Sequence, residues 1–273
     1  MKAWKKRIDE LLVEKGLVES REKARRLIMA GYVRVNGDVV DKPGRRVDEN
    51  VQIELAHIEK YVSRGAYKLL GALEDLGMNV EGLVACDIGA STGGFTQVLL
   101  EKGARKVYAV DVGRGQLHWK LRNDERVVVM EKTNARYLED KDFEDKIDVV
   151  TIDVSFISLK PILKAVNKFL KDGGYVLALV KPQFELGKGK VKKGVVRKLE
   201  DHISCLYSVV EYARSIGFSC RGMTYSRLKG PKGNIEFFLL LIKDGKGEMN
   251  SDVSIDEVVV RAHKELGGAQ GDE

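Results

Sequence analysis

The feature that most constrains the fold is an alternation of strand-length apolar runs with segments of helical periodicity, which fills most of the chain after residue 64. Seven strands are predicted, at residues 83–87, 106–111, 127–130, 147–153, 174–180, 218–225 and 235–242. Helices between most of these strands favour a mostly parallel, doubly wound α/β sheet. Only a loop separates the last two strands, so we expect them to form an antiparallel hairpin at one edge.

The first 56 residues follow a different pattern, that of a small α+β unit. Two helices, a hairpin and a further strand are predicted there, over residues 5–15, 21–29, 32–40 and 51–55 respectively. Ser20 is the expected N-cap of the second helix, and Asn36-Gly37 supplies the positive φ angles of a type I′ turn. We therefore predict an α+β domain over residues 1–56, a linker over residues 57–63 and the α/β domain over residues 64–273.

Charge and composition narrow the function classes. Residues 244–273 hold three basic and eight acidic side chains, so the net charge of +6 for the whole chain leaves +11 on residues 1–243, which favours a polyanionic partner. The three cysteines and four histidines are scattered, so neither a disulfide framework nor a metal site is predicted. No secretory signal or membrane-spanning run is evident, so we expect a cytoplasmic protein without a membrane partner.

A ligand site is predicted where the first strand of the α/β domain gives way to a helix, because open α/β sheets bind ligands at that edge. The candidate ligand-binding residues there are Asp87, Gly89, Ala90, Ser91, Gly93, Gly94, Phe95 and Thr96. Their G-x-x-x-G-G spacing differs from the dinucleotide fingerprint and favours S-adenosyl-L-methionine, with NAD as the alternative. Asp87 is expected to engage the amino-acid end and Asp111 the ribose. Asn134 either contacts the adenine or methionine or belongs to a plain connecting loop.

Four charged residues lie where an apolar neighbour would be expected, namely Lys68, Asp153, Lys181 and Glu236. Asp153 and Lys181 end adjacent parallel strands, so we expect both to project into one crevice beside the cofactor. Such a set can position and deprotonate a weakly acidic hydroxyl for in-line attack on a methyl donor. The alternative for any single member is a structural ion pair.

Basic side chains are concentrated in two places. One group lies in the first domain and comprises Lys5, Lys6, Arg7, Arg21, Lys23, Arg25, Arg26 and Arg34. A second group comprises Arg64 and the glycine-rich segment residues Lys188, Lys190, Lys192 and Lys193. We expect both groups to contact RNA phosphates; the alternative is a solvated charged surface.

Two sets of motifs resemble known families. R-I-D-x-L-L followed by S-R-x-x-A-R-x-L-I-x-x-G-x-V-x-V-N-G resembles the S4 RNA-binding module. The K-D-K-E set, with Asp153-Val154-Ser155-Phe156 and Lys181-Pro182-Gln183-Phe184-Glu185, resembles the FtsJ-like ribose 2′-O-methyltransferases. Over essentially its whole length the chain resembles the TlyA (hemolysin A) family, which joins these two modules.

The resemblance implies a class I, Rossmann-like, seven-stranded S-adenosylmethionine-dependent methyltransferase with an S4 domain. It implies 2′-O-methylation of a ribose, expected to be that of cytidine, in small- or large-subunit ribosomal RNA, with ribosomal RNA or ribosomal subunits as partner. By the resemblance the four charged residues would be catalytic. From the chemistry we expect Lys181 to be the general base, with Lys68 as the alternative, and the two carboxylates to hold and tune the lysines.

Three other functions are alternatives to this one. The family name suggests a cytolysin, and loss of catalysis would leave an RNA-binding assembly factor. A pseudouridine synthase would require a catalytic aspartate in an H-R-L-D-like setting, which the sequence lacks. The sequence predicts no oligomeric state.

Overall fold

The computed structural model describes residues 5–55, 60–187 and 189–267. The chain divides into two compact units, Met1–Lys60 and Tyr61–Glu273. Lys188, one of the predicted RNA-binding residues, lies outside the described residues.

The first unit contains two helices and two small antiparallel sheets. Its helices are α1 (Ile8–Glu14) and α2 (Arg21–Met29). Its strands are β1 (Lys5–Arg7), β2 (Val33–Val35), β3 (Asp38–Val40), β4 (Arg46–Asp48) and β5 (Ile53–Leu55), paired in the orders β3-β2-β5 and β1-β4. The apolar faces of both helices pack against β2 and β3 in one core. Asn36 and Gly37 have φ angles of 51° and 87°, which confirms the predicted hairpin turn.

The predicted start of the first helix was wrong. Lys5–Arg7 form an extended strand that pairs with Arg46–Asp48, and the helix begins only at Ile8. The apolar face of α1 also begins at Ile8, so residues 5–7 gain nothing from helical packing. Residues 5–7 instead pair with a strand about 41 residues further along the chain, and the sequence analysis did not predict that partner strand.

The second unit contains one seven-stranded sheet. Its strands are β6 (Val84–Ile88), β7 (Lys106–Val110), β8 (Val127–Met130), β9 (Ile147–Ile152), β10 (Leu170–Val180), β11 (Phe218–Tyr225) and β12 (Phe237–Lys243). They are ordered β11-β12-β10-β9-β6-β7-β8. Among these described strands, β12 alone runs opposite to the other six, and it lies between β10 and β11. The fold class predicted from the sequence is therefore confirmed.

Helices cover both faces of this sheet. They are α3 (Gly65–Asp75), α4 (Gly94–Glu101), α5 (Trp119–Arg122), α6 (Leu159–Phe169), α7 (Pro182–Glu185), α8 (Leu199–Ser215) and α9 (Ile255–Leu266). Apolar side chains of α3 and α4 form one layer, and those of α6, α8 and α9 form the other. Each fully buried side chain such as Leu99 or Leu163 contributes roughly 1.5–3 kcal/mol to this packing. The two layers fix the carboxyl ends of the parallel strands. No helix within the described ranges is long and apolar enough to cross a membrane.

Candidate active site

Two cavities open at the carboxyl edge of the sheet in the second unit. The first has a volume of about 410 Å³ and is bounded by Ser63–Gly65, Lys68, the 89–95 segment and residues 229–232. The second has a volume of about 510 Å³ and is bounded by the ends of β6, β7 and β9. Gly89, Ser91 and Asp153 belong to the walls of both. Two ligands bound in these cavities would therefore meet at Asp153.

Lys181 and Asp153 form an ion pair at the ends of the adjacent strands β10 and β9. The Lys181 Nζ lies 2.5 Å from Asp153 Oδ1 and donates a hydrogen bond of 3.0 Å to Ser155 Oγ. The Lys181 side chain is 9% exposed and that of Asp153 is 21% exposed. Pro182 begins α7 directly after Lys181, so the chain turns away and leaves the lysine at the strand tip.

Lys68 and Glu236 form a second ion pair, which joins helix α3 to the residue before β12. The Lys68 Nζ donates to Glu236 Oε2 at 2.6 Å, and the glutamate is fully buried. The other carboxylate oxygen, Oε1, lies against Gly230, where a Cβ would be only 2.0 Å away. Lys68 and Asp153 line the same cavity, so each of the two ion pairs contributes one residue to its wall, while Lys181 and Glu236 are buried behind them.

Eight ligand-binding residues were predicted at the junction of β6 and α4. Five of them line the first cavity, namely Gly89, Ala90, Ser91, Gly94 and Phe95. Asp111 and Asn134 line the second cavity. The Asp111 carboxylate accepts hydrogen bonds from the backbone N–H of Ser91 (2.8 Å) and of Gly113 (2.7 Å), which fixes its orientation.

The other three residues of that segment lie outside both cavity walls. Asp87 is fully buried and accepts hydrogen bonds from the hydroxyls of Thr96 (2.7 Å) and Thr151 (3.0 Å). Burial raises the pKa of Asp87 to about 6, although these hydroxyls oppose the shift. Gly93 has a φ of 98°, and a Cβ there would collide with Leu121. Asp87, Gly93 and Thr96 thus lie beneath the cavity walls, and the direct ligand contact expected from Asp87 stays a prediction.

A loop that the sequence did not single out closes the first cavity. Lys229 and Lys232, on the connection from β11 to β12, line it together with Ser63 and Thr92. Asn234, in the same loop, is 2% exposed; its Nδ2 donates to Gly194 O at 2.9 Å and its Oδ1 accepts from Val196 N–H at 3.1 Å. The sequence signal that could have identified this loop is the group of glycines and lysines at residues 229–233. Asn234 therefore ties the basic segment after α7 to the loop beside Glu236.

The predicted RNA-facing residues differ in their surroundings. Arg64 lines the first cavity, and Lys192 and Lys193 are exposed. Five others form ion pairs within their own unit: Lys6 with Glu14, Arg7 and Arg21 with Asp9, Lys23 with Glu19, and Lys190 with Asp201. Lys5, Arg25, Arg26 and Arg34 are exposed on the first unit.

The strand order and the charged site at the sheet's carboxyl edge define an α/β enzyme of the methyltransferase type. Consistent with this, an FtsJ-like methyltransferase family model matches residues 61–243 and an S4 domain model matches residues 6–53. The chain therefore belongs to the FtsJ-like methyltransferase family, in the S4-bearing TlyA (hemolysin A) group, as the sequence predicted.

Individual relatives support that assignment over most of the chain. The 16S/23S rRNA (cytidine-2′-O)-methyltransferase TlyA of Mycobacterium tuberculosis is 45% identical over 242 residues, which cover 88% of this chain and 90% of the relative. Hemolysin A of Brachyspira hyodysenteriae is 43% identical over 235 residues, which cover 85% and 97% respectively. The solved structure of a candidate hemolysin from Streptococcus thermophilus is similar with a TM-score of 0.75 and 48% identity, and the match covers 97% of this chain and 98% of the other.

Proposed function

We propose that this protein transfers a methyl group from S-adenosylmethionine to the 2′-hydroxyl of a cytidine ribose in ribosomal RNA. The observation that carries the proposal is the position of Asp153 in the common wall of two cavities, paired with a lysine 2.5 Å away. One cavity would hold the donor and the other the acceptor ribose. The cytoplasm, which is the compartment expected from the sequence, is the one we propose for this reaction.

The second cavity has suitable residues for S-adenosylmethionine. Its volume falls within the range of roughly 300–1,000 Å³ usual for small-molecule sites. Each oxygen of Asp111 already accepts one backbone N–H and has a second lone pair for a ribose hydroxyl. The Oδ1 of Asn134 accepts from the N–H of Arg136, so its amide nitrogen would be the group that contacts the adenine or the methionine. When bound, the donor supplies an electrophilic methyl group attached to a sulfonium.

Lys181 is the proposed general base for the ribose hydroxyl. It would accept the 2′-hydroxyl proton on Nζ while the oxygen forms its new bond to the methyl carbon and the bond from that carbon to the donor's sulfur breaks, which would leave a neutral thioether. A lysine can accept a proton only as the neutral amine, so this role requires Lys181 to lose its own proton before methyl transfer. Asp153 and Ser155 hold the amine at the strand tip, while Glu236 holds Lys68 on the wall of the acceptor cavity.

Basic side chains around the acceptor cavity would bind the RNA backbone. Arg64, Lys229 and Lys232 line that cavity, and the lysines at positions 190, 192 and 193 belong to the segment that Asn234 anchors. Exposed arginines of the first unit add a second set of phosphate contacts. Such contacts supply affinity and orientation without selecting a sequence.

The test is methylation of ribosomal RNA and ribosomal subunits with radiolabelled S-adenosylmethionine, followed by mapping of the product. We expect label in alkali-resistant dinucleotides that contain cytidine, because a 2′-O-methyl group blocks cleavage at that position. Label on a base, or no label from a protein that binds the donor, would reject the proposal. Lysis of erythrocytes without donor would instead support the cytolysin alternative.

A further inference from the structure

Four large apolar side chains stand out by their exposure in the described part of the second unit. They are Val112, Trp119, Tyr137 and Phe156, which are 71, 64, 73 and 91% exposed. All four lie in the segments that follow β7, β8 and β9, at the edge where the cavities open. Single exposed apolar residues are common on protein surfaces, but a group confined to three successive segments indicates an interaction surface.

Packing of the fold does not explain Trp119. The short helix α5 is anchored by Leu117 and Leu121, which are both 6% exposed and would meet any side chain at Gly93. Trp119 lies midway between these two anchors and points to the opposite side. The indole has a cation on one side, with Lys120 Nζ 5.9 Å from the ring centroid, and stacks on His118 at 5.9 Å.

Tyr137 has the same surroundings on the neighbouring segment. It ends a single 3₁₀ turn, Ala135–Tyr137, in which Ala135 is buried and the tyrosine is exposed. The guanidinium of Arg136 lies 5.5 Å from the tyrosine ring centroid. Trp119 and Tyr137 thus share one arrangement, an exposed aromatic ring with a cationic side chain beside it.

Hydrogen bonds join the segment that carries Trp119 to the segment that carries Tyr137. The N–H of Lys132 donates to Gly113 O at 3.0 Å, and Glu131 accepts from the N–H of Gln116 at 3.2 Å. Glu131 also forms an ion pair of 2.5 Å with Arg122. Because Gln116 lines the second cavity, the two rings are fixed to its rim.

Charge and chemistry indicate the ligand. Residues 112–122 contain three basic and no acidic side chains, and residues 132–137 contain two and none. Aromatic rings flanked by cations are the usual means of binding unpaired nucleotides, since the ring stacks on the base and the cation contacts the phosphate. Bases inside a continuous duplex are covered on both faces by their neighbours, so only unpaired or splayed bases can stack on a side chain.

We propose that Trp119 and Tyr137 are stacking platforms for unpaired nucleotides that flank the target ribose. The enzyme then acts on a locally unpaired stretch of RNA and discriminates against a continuous duplex. This inference rests on the proposed function, since it concerns how the same RNA substrate is held.

Kinetics of the full-length protein test the platforms. Trp119→Ala and Tyr137→Ala should each raise the KM for ribosomal RNA about tenfold, from the loss of one base stack, with kcat and donor affinity close to wild type. Trp119→Phe and Tyr137→Phe, which keep a ring, should restore most of the affinity. Tyr207→Ala serves as the matched control, because Tyr207 is 45% exposed on α8 and lines neither cavity. Alanine variants with a wild-type KM would overturn the inference.

Fluorescence gives a second, direct measurement. The chain has two tryptophans, so Trp4→Phe leaves Trp119 as the sole indole. An unpaired oligoribonucleotide should quench its emission, and the same strand annealed to its complement should quench it much less. Equal quenching by both, or none by either, would refute base stacking. If the wild-type protein fails to methylate RNA while quenching is selective, the proposed function fails and the stacking inference stands.

Discussion

At the scale of single residues, Asp87 shows that the direction of a buried carboxylate depends on its hydrogen-bond partners. It is fully buried, and its two hydroxyl partners come from α4 and β9. The strand-end position made a direct ligand contact the natural expectation. Which way the side chain turns depends on Thr96 and Thr151, the second of which is 64 residues away. A sequence read alone could not supply that partner.

Asp87 should also make stability depend on pH. Its pKa in the folded protein is about 6 because of burial, against a usual value of 3.8, so the folded state binds the proton more tightly than the unfolded state. The contribution of Asp87 to the free energy of unfolding should therefore rise as pH falls from about 7 to about 4. Asp87→Asn removes this contribution: the variant should exceed wild type by up to about 3 kcal/mol at pH 7 and by nearly nothing at pH 4. Urea unfolding at several pH values measures the difference. A difference that is constant with pH would contradict the assignment.

At the scale of elements, the strands and their tips were largely predictable and the loops between them were not. Short continuous apolar runs, separated by helical segments, located all seven strands. Such runs are expected because a strand that is buried on both faces of the sheet needs apolar residues throughout. Asp153 and Lys181 followed from the rule that neighbouring parallel strands end at one edge. The role of residues 229–234 depends on contacts with Glu236 and with Gly194, and no periodic pattern marks contacts of that kind.

The loop before β12 leads to a prediction about Gly230. A methyl group at this position would lie 2.0 Å from Glu236 Oε1, so Gly230→Ala should displace the carboxylate from Lys68. Overpacking of this kind typically costs about 1–3 kcal/mol. We expect methyl transfer to fall at least about tenfold, the equivalent of 1.4 kcal/mol, with donor affinity nearly unchanged.

Thermal unfolding and single-turnover methylation would measure the two effects. Gly187→Ala is the matched control, because nothing lies within 4 Å of a Cβ at that exposed position. Wild-type turnover by Gly230→Ala would show that the position of Glu236 has no effect on catalysis.

At the scale of the whole molecule, the chain joins a small basic unit to a methyltransferase unit. Composition predicted an anionic partner, since the positive charge is concentrated before residue 244. It could not show which cations are already paired: Arg7 and Arg21 hold the buried Asp9, whereas Arg25 and Arg26 are exposed on α2. The RNA-binding role proposed for Arg7 and Arg21 would therefore be combined with a structural one.

Substitution of the exposed arginines and of the arginines paired with Asp9 should therefore have different effects. Arg25→Ala with Arg26→Ala should weaken RNA binding and reduce the slope of log K against log salt by about two, one for each phosphate contact. Donor affinity and stability should remain unchanged. Arg21→Ala should also lower stability, because it removes one of the two arginines that hold Asp9. Binding titrations at several salt concentrations would separate these cases, and an unchanged slope for the double variant would exclude the exposed arginines from the RNA contact.

The most direct test of the account compares two lysines on the same strand. Lys181 pairs with Asp153 at the carboxyl ends of β10 and β9, and Lys171 pairs with Asp148 near their opposite ends. Lys181→Met should reduce transfer of labelled methyl groups to ribose at least about 100-fold while it still binds the donor, as expected for loss of a general base. Lys171→Met should methylate at the wild-type rate. Methylation by Lys181→Met within a few-fold of wild type would contradict the central claim that this strand tip performs the chemistry.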